Sequence, residues 1–278
     1  WNSNRTNGSD SITYWKNYEK QREHNVIGGQ VIFDRYNVTD KSDGLMYKGS
    51  TKLNPKHYLG YGIDYKRLRY GYGWYNVGAD KAGALYPSQK MNLLGAYVED
   101  SWKIDNRWTT NIGLRYDKME GDKDANVVGN NTGSMNEEAL SPKLNVHFKN
   151  DERTSTSFSI NRIWRAPSMA EFYWHYAGFG FAKDMPLSPE KGWGYEASVA
   201  HKFSNKLYSK ATAFYQDIND YLNFTHQRPF NAYNIDKAQL WGFELENTWK
   251  LDDASNIFLS YTKMKNKKEG VHTNDKVG

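Results

Sequence analysis

Cysteine is absent from the sequence, which excludes a disulfide framework and a thiolate metal centre. Long apolar runs are absent too. No stretch approaches the roughly 18 apolar residues that a transmembrane helix needs, and the opening WNSNRTNGSD lacks the apolar core of a signal peptide. Hydrophobic residues are only 38% of the 278, and the mean hydropathy is −0.88, thin material for an aliphatic core. A basic stripe is also missing. The 37 Lys and Arg residues stand scattered among 32 acidic ones, for a net charge of +5, so the charge reads as solvated surface and no nucleic-acid partner is expected. The seven histidines include no pair at His-Glu-x-x-His spacing. No metal site is expected from these residues.

What the chain does have is rings: 21 Tyr, 12 Phe and 10 Trp, or 15% of the sequence. Aromatic bodies with a polar handle suit a boundary between oil and water. They recur with a strict period of two. In RWTTNIGLRYD (107–117), Trp108, Thr110, Ile112, Leu114 and Tyr116 alternate with Arg107, Thr109, Asn111, Gly113, Arg115 and Asp117. A strand sends successive side chains to opposite faces, so this stretch specifies one apolar and one wet surface. KLNVHFK, LGYGIDY, WGYEASVAHKF and WGFELENTWKL repeat the pattern.

The alternation and the turn chemistry together predict twelve strands, at about 11–21, 26–36, 44–53, 57–69, 90–104, 107–118, 139–149, 154–165, 190–204, 207–222, 237–251 and 256–268. Tight turns rich in Asn, Asp, Ser and Pro are predicted at REHN (22–25), NPK (54–56), DN (105–106), NDER (150–153), SN (204–205) and DDAS (252–255). Long connections are expected at about 70–89, 119–138, 166–189 and 223–236. Short and long connections alternate, which gathers the long loops at one end of an antiparallel sheet. That is the plan of an all-β transmembrane barrel with short periplasmic turns and long extracellular loops. A Lys or Arg on the lipid face costs about 2–4 kcal/mol at the midplane, so Arg115, Asp117, Glu196, Glu244 and Glu246 should line a wet interior.

Several stretches resemble TonB-dependent outer-membrane receptors. NLLGAYVEDSWKIDNRWTTNIGLRYDKMEG (92–121) is similar to a family hairpin, and LSPKLNVHFK (140–149) to the strand after it. INRIWRAPSMAEFYW (160–174) resembles the aromatic-Arg-Ala-Pro segment, LSPEKGWGYEASVAHKF (187–203) the Pro-Glu-Lys strand opening, and YNIDKAQLWGFELENTWKL (233–251) the Gly-aromatic-Glu strand. The resemblance implies that residues 1–278 are a partial outer-membrane β-barrel domain, about 12 strands of a barrel of about 22, with the plug domain not in this chain. It implies energised uptake of an iron complex across the bacterial outer membrane, foremost a ferric siderophore and otherwise haem or cobalamin, with no resident cofactor and no enzymatic activity. The implied partners are the TonB–ExbB–ExbD energy complex, acting through a plug segment, and outer-membrane lipid with lipopolysaccharide. Two rivals come from other classes: a closed barrel of about 10–12 strands acting as a protease or lipid-modifying enzyme, and a passive porin.

The family motif falls on Trp164, Arg165, Ala166, Pro167, Pro189 and Glu190. Between its halves Tyr173, Trp174, His175, Tyr176, Phe179 and Phe181 place six ring side chains within nine residues. They are the candidate ligand contacts, although an interfacial girdle would use the same rings. His175 is a candidate haem ligand, because imidazole is a competent axial base. YGYGWYNVG (70–78) lacks the helix that a phosphate loop requires and reads as an aromatic loop apex.

Overall fold

The computed structural model describes residues 1–71, 74–77, 84–85, 89–123, 133–169, 171–172, 187–224, 232–268 and 271–273. Their strands are β1 (Asn2–Arg5), β2 (Gly8–Ile27), β3 (Gln30–Lys52), β4 (His57–Gly71), β5 (Trp74–Val77), β6 (Ala84–Leu85), β7 (Gln89–Lys103), β8 (Trp108–Lys123), β9 (Gly133–Lys149), β10 (Thr154–Arg165), β11 (Glu190–Lys202), β12 (Leu207–Phe224), β13 (Ala232–Lys250), β14 (Asn256–Lys268) and β15 (Val271–Thr273). They form one antiparallel sheet in chain order from β1 to β15, with β5 and β6 branching off beside β3.

The register confirms the two-faced pattern. Tyr61 stands opposite Val98, Val98 opposite Leu114, and Leu114 opposite Pro142, one apolar row across four strands. Ile112 and Leu114 are 50% and 45% exposed, so this face presents its hydrophobic groups outward. Its lower border carries Trp102, Trp108, Phe148, Phe203 and Trp249 beside the tight turns, with Trp108 and Phe148 ring centroids 4.3 Å apart. Such a ring belt is what a membrane–water boundary selects.

The opposite face is polar. Arg115 bridges Asp64 and Asp117 at 3.1 and 2.7 Å. Its guanidinium occupies the space that a side chain on Gly95 would fill, and Lys143 pairs with Glu99. A one-residue slip would exchange the two faces, so register is strongly specified.

Five tight turns share one device. Asn54 Oδ1 accepts the amides of Lys56 and His57 at 2.8 and 3.0 Å. Asp105 does the same for Arg107 and Trp108, Asp151 for Arg153 and Thr154, and Ser204 Oγ for Lys206 and Leu207. Asp252 takes the amide of Ala254. These side chains replace backbone partners that the turn removes. The backbone amides of Trp108 and Arg107 hold the Asp105 carboxyl below its usual range, and the amides of Arg153 and Ala254 do likewise for Asp151 and Asp252.

The structure corrects the expected boundaries in three places. The turn predicted at 22–25 lies within β2. The chain reverses instead at Gly28–Gly29, whose φ values of 60° and 80° fit the two-residue turn that glycine makes without steric cost. The charged residues before it are accommodated by register shifts between Gln21 and Glu23 and between Asn25 and Val26. The strands predicted at 26–36 and 44–53 are therefore one, and four short strands, β1, β5, β6 and β15, were not expected. Eleven strands of at least 12 residues, namely β2–β4 and β7–β14, stand beside short β1. Finally, the expected long connections shrink. β8 and β9 continue their pairing to Lys123↔Gly133, and β12 and β13 to Phe224↔Ala232, because cross-strand pairing persists where the alternation of apolar residues has already lapsed.

Candidate functional site

At the long-loop end, the polar face turns apolar. Met91, Met119, Met135 and Leu222 come from β7, β8, β9 and β12 and are buried with Phe172 and Leu187. Met91, Met119 and Met135 occupy the same alternate positions as Gly95, Arg115 and Asp117 below them. They are covered because both ends of the connection between β10 and β11 pack onto them.

The first end is built from a strand stop. Pro167 has no amide to donate and disfavours helical geometry at Ala166, so β10 ends at Arg165. Ser168 then opens a single turn. Its Oγ accepts the Glu171 amide at 3.2 Å, while Glu171 Oε2 accepts the Ser168 amide at 2.7 Å, a reciprocal capping box. The turn directs Phe172 against Gly121, where an added Cβ would lie 3.5 Å from the ring.

The second end is held by Asn234 and Glu190. Asn234 Oδ1 accepts the Ser188 amide at 2.8 Å, and its Nδ2 donates to the carbonyls of Ser188 and Asp220. Asp220 has φ of 55°, an unusual left-handed residue outside glycine, and this bond helps to hold it. Glu190 Oε1 accepts the Leu222 amide at 2.9 Å.

One guanidinium joins the two ends. Arg165 donates through Nε and Nη2 to Glu190 at 2.8 and 2.7 Å, and through Nη1 and Nη2 to Glu171 at 2.9 and 3.1 Å. Two forked pairs on one planar group are the geometry arginine is suited to. Both carboxylates are buried, whereas Arg165 keeps 42% of its side chain exposed on the polar face. Burial works to raise the Glu171 carboxyl, but the bonds from Arg165 and Ser168 prevail and hold it below its ordinary value. The cluster carries one negative charge in excess.

Of the residues singled out from sequence, Arg165 and Glu190 lie directly opposite each other. Pro167 and Pro189 are fully buried beside them, and Trp164 and Ala166 pack against the methionine cluster. Tyr173, Trp174, His175, Tyr176, Phe179 and Phe181 lie outside the described residues, as do Tyr72, Gly73 and Gly78 of the 70–78 stretch. Glu196, Glu244 and Glu246 share the polar face with Arg115 and Asp117 but not this cluster. Asn234, Phe172 and the three buried methionines escaped the sequence reading. A Ser-x-x-Glu spacing after Pro167 was the available signal for Glu171.

The family described as "TonB dependent receptor-like, beta-barrel" matches residues 1–278. By sequence, no curated protein matches the chain. Among solved structures, the chain is similar to the ferric citrate transporter FecA in its unliganded form, with a TM-score of 0.74 at 15% identity over 96% of this chain and 41% of that one. The pyoverdine outer membrane receptor FpvA from Pseudomonas aeruginosa PAO1 aligns with a TM-score of 0.72 at 14% identity, over 96% of this chain and 43% of that one. The copper transporter OprC aligns with a TM-score of 0.77 at 15% identity, over 95% and 44%. The chain thus spans less than half the length of each.

Proposed function

The chain belongs to the TonB dependent receptor-like β-barrel family, and on that premise we propose that it forms part of the wall of a receptor importing a small metal chelate, foremost a ferric siderophore. Its place is the bacterial outer membrane, with the tight turns toward the periplasm and the polar face toward the barrel lumen. In this reading the 1–278 segment is a partial barrel domain, a plug fills the lumen, and the TonB–ExbB–ExbD complex supplies energy through that plug. The family and its solved neighbours are receptors and transporters; no covalent step is assigned to this chain, and the chelate is cargo.

The single observation that carries the reading is the Arg165 cluster. It fastens both ends of the 166–189 connection to the lumen face, so the segment between them starts and finishes over the pore. A binding loop needs such a preorganised base, because ordering a free loop on ligand arrival would subtract from affinity. Tyr173, Trp174, Tyr176, Phe179 and Phe181 are the proposed contacts for an aromatic chelate, with His175 available to haem iron should the cargo be haem.

One observation favours a second reading, copper import: Met91, Met119, Met135 and Met169 meet at the loop base, and thioethers select soft copper(I). Against it, buried methionine is also a common filler of irregular cores.

The test is uptake by a strain lacking the whole receptor, complemented with the wild-type gene or with one carrying Arg165→Gln. Accumulation of labelled ferric siderophore that depends on the wild-type gene and falls with the variant supports the proposal. Dependence on haem, cobalamin or copper alone replaces the cargo, and equal uptake of every solute without an energised inner membrane would indicate a porin.

A further inference from the structure

Nine neighbouring strands, β3, β4 and β7–β13, each carry a cation at the tight-turn end. Lys103 faces Lys56, Lys149 faces Arg107, Lys202 faces Arg153 and Lys250 faces Lys206, while Lys52 closes β3. On their other sides Lys103, Lys149, Lys202 and Lys250 meet Thr109, Ser155, Tyr208 and Asn256, none of them acidic. All nine cations are exposed. Like charges set opposite each other work against the sheet, so a row of them across successive hairpins calls for a mobile anion.

The pleat decides which way the row faces. Arg107 stands two positions before Thr109 and Lys149 two past His147, on the polar face. Trp102, Trp108, Phe148, Phe203 and Trp249 take the alternate, outward positions at the same level. The rings therefore meet the lipid boundary, and the cations surround the periplasmic mouth of the lumen.

Local carboxylates leave the row in surplus. The turns supply five, but Asp105, Asp151 and Asp252 accept the amides of their own turns, and Asp253 pairs with Lys250 at 2.7 Å, which leaves Glu152. Among the described residues, the other eight cations make no ion pair. Nine cations against five carboxylates leave a surplus of four at this rim, in a chain whose whole net charge is +5. Two of the cations are fixed in place, since Lys56 and Lys206 donate through Nζ to the carbonyls of Ile104 and Leu251 at 3.0 and 3.3 Å. Neighbouring strands lie about 4.8 Å apart, closer than the roughly 8 Å over which physiological salt screens a charge, so the fields of successive cations add.

Higher in the lumen, cations are matched. Asp64 and Asp117 hold Arg115, Glu99 holds Lys143, and Glu246 lies 3.6 Å from Lys210. Lys48 is an exception, with no ion pair among the described residues. It lines a groove of about 430 Å³ with Ser9, Ser50 and Tyr58, where Tyr58 Oη donates to Ser50 Oγ at 2.7 Å. Lys48 is four positions up β3 from Lys52, one step inside the mouth. A free cation among hydroxyl donors suits an oxyanion, and the charge on the wall rises from matched to positive toward the periplasm.

We propose that this rim is an anion-attracting exit, and that the cargo leaves the lumen as a chelate of net negative charge, drawn past Lys48 to the cations of the tight turns. One-signed charge around an opening raises the local concentration of counter-ions and repels co-ions, so a neutral chelate gains nothing here and a bare metal cation is opposed. The inference rests on the transport reading and names the charge class of the chelate.

The experiment uses the whole receptor in nanodiscs with a spin label on Asn106→Cys, wild type or K103Q/R107Q/K149Q/R153Q elsewhere. Collision rates are measured with trianionic tris(oxalato)chromate and with a neutral nickel chelate, each relative to the free label. The expected result is at least a threefold preference for the anion on the wild-type background, lost in the quadruple variant, kept in K103R/R107K and reduced by added salt. Parity on the wild-type background at low salt, as a rim already neutralised by the rest of the receptor would give, overturns the proposal, and this arm needs no variant to assemble. In cells lacking the receptor, the complementing gene should support uptake of an anionic ferric triscatecholate or ferric citrate, and the quadruple variant should lower it at least threefold. Uptake confined to a neutral ferric trihydroxamate or to copper ions also overturns the proposal. Absence of energised uptake for every chelate would remove the transport reading instead, and the collision ratio would still decide whether the rim attracts anions.

Discussion

The amide of Lys149 donates to the carbonyl of Arg107 at 2.8 Å, which sets two cations directly opposite each other at the tight-turn rim. The same backbone bond joins Lys103 to Lys56, Lys202 to Arg153 and Lys250 to Lys206. The cause is a recurrent five-residue turn, KLNPK, KIDNR, KNDER and KFSNK, with KLDDA varying its last position. Like charges opposite one another on a sheet cost about 0.2–1 kcal/mol per pair. Lys149→Glu should therefore raise the thermal transition of the assembled barrel, and should weaken the stabilisation that added salt gives the wild type. Heat-modifiability on gels at low and high ionic strength measures both.

Arg165 bridges two buried carboxylates, and its loss leaves them facing each other. Breaking a buried pair costs about 3–5 kcal/mol, and partial exposure of the guanidinium puts Arg165→Met toward the lower end. Adding Glu171→Gln and Glu190→Gln to that variant should restore part of the stability, since neutral amides tolerate one another where carboxylates do not. Hydrogen exchange at the Leu222 amide, a direct partner of Glu190, reads the local opening. Identical exchange in wild type and Arg165→Met would show that the guanidinium does not hold the loop base.

Acid should loosen the loop base in a defined direction. The Glu171 carboxyl is held below its ordinary value of 4.5, so its contribution is complete above that value and declines as pH falls through the lower folded value. Asp105, Asp151 and Asp252, also lowered, weaken the tight turns in the same window. In Glu171→Gln the local acid dependence at the loop base should diminish while that of the turns persists. Site-resolved exchange across acidic pH separates the two.

Leu114 belongs to the outward row and Arg115 to the lumen. Leu114→Arg should cost about 2–4 kcal/mol if placed near the bilayer midplane, far more than Asn111→Arg on the polar face. Brominated lipids should quench a fluorophore at Ile112 or Leu114 and leave one at Asn111 or Arg115 unaffected. The opposite pattern would invert the faces and remove the barrel assignment.

Much of the fold was legible because a period of two is a local property: Trp108 through Asp117 declare both surfaces without reference to any partner. Turn residues such as Asn54, Asp105 and Ser204 were legible for the same reason, since each bonds amides two and three positions ahead. The reversal at Gly28–Gly29 was misplaced because charged residues 19–24 imitate a turn, while the bulges that keep them in the strand depend on β3. At the site, Arg165 and Glu190 stood out through family resemblance, but nothing in either stretch says that they share a guanidinium with Glu171.

The two faces of the strands and the end at which tight turns gather were thus settled by the order of the residues alone, because pleating converts adjacent positions into opposite surfaces. Which cation meets which anion was left to the assembled sheet. Arg165 is 25 positions from Glu190 and Asp43 is 24 from Arg67, and only hydrogen-bonded register brings such pairs onto one rung. The loop base depends on that register, since Arg165 and Glu190 become neighbours only when β10 and β11 lock side by side.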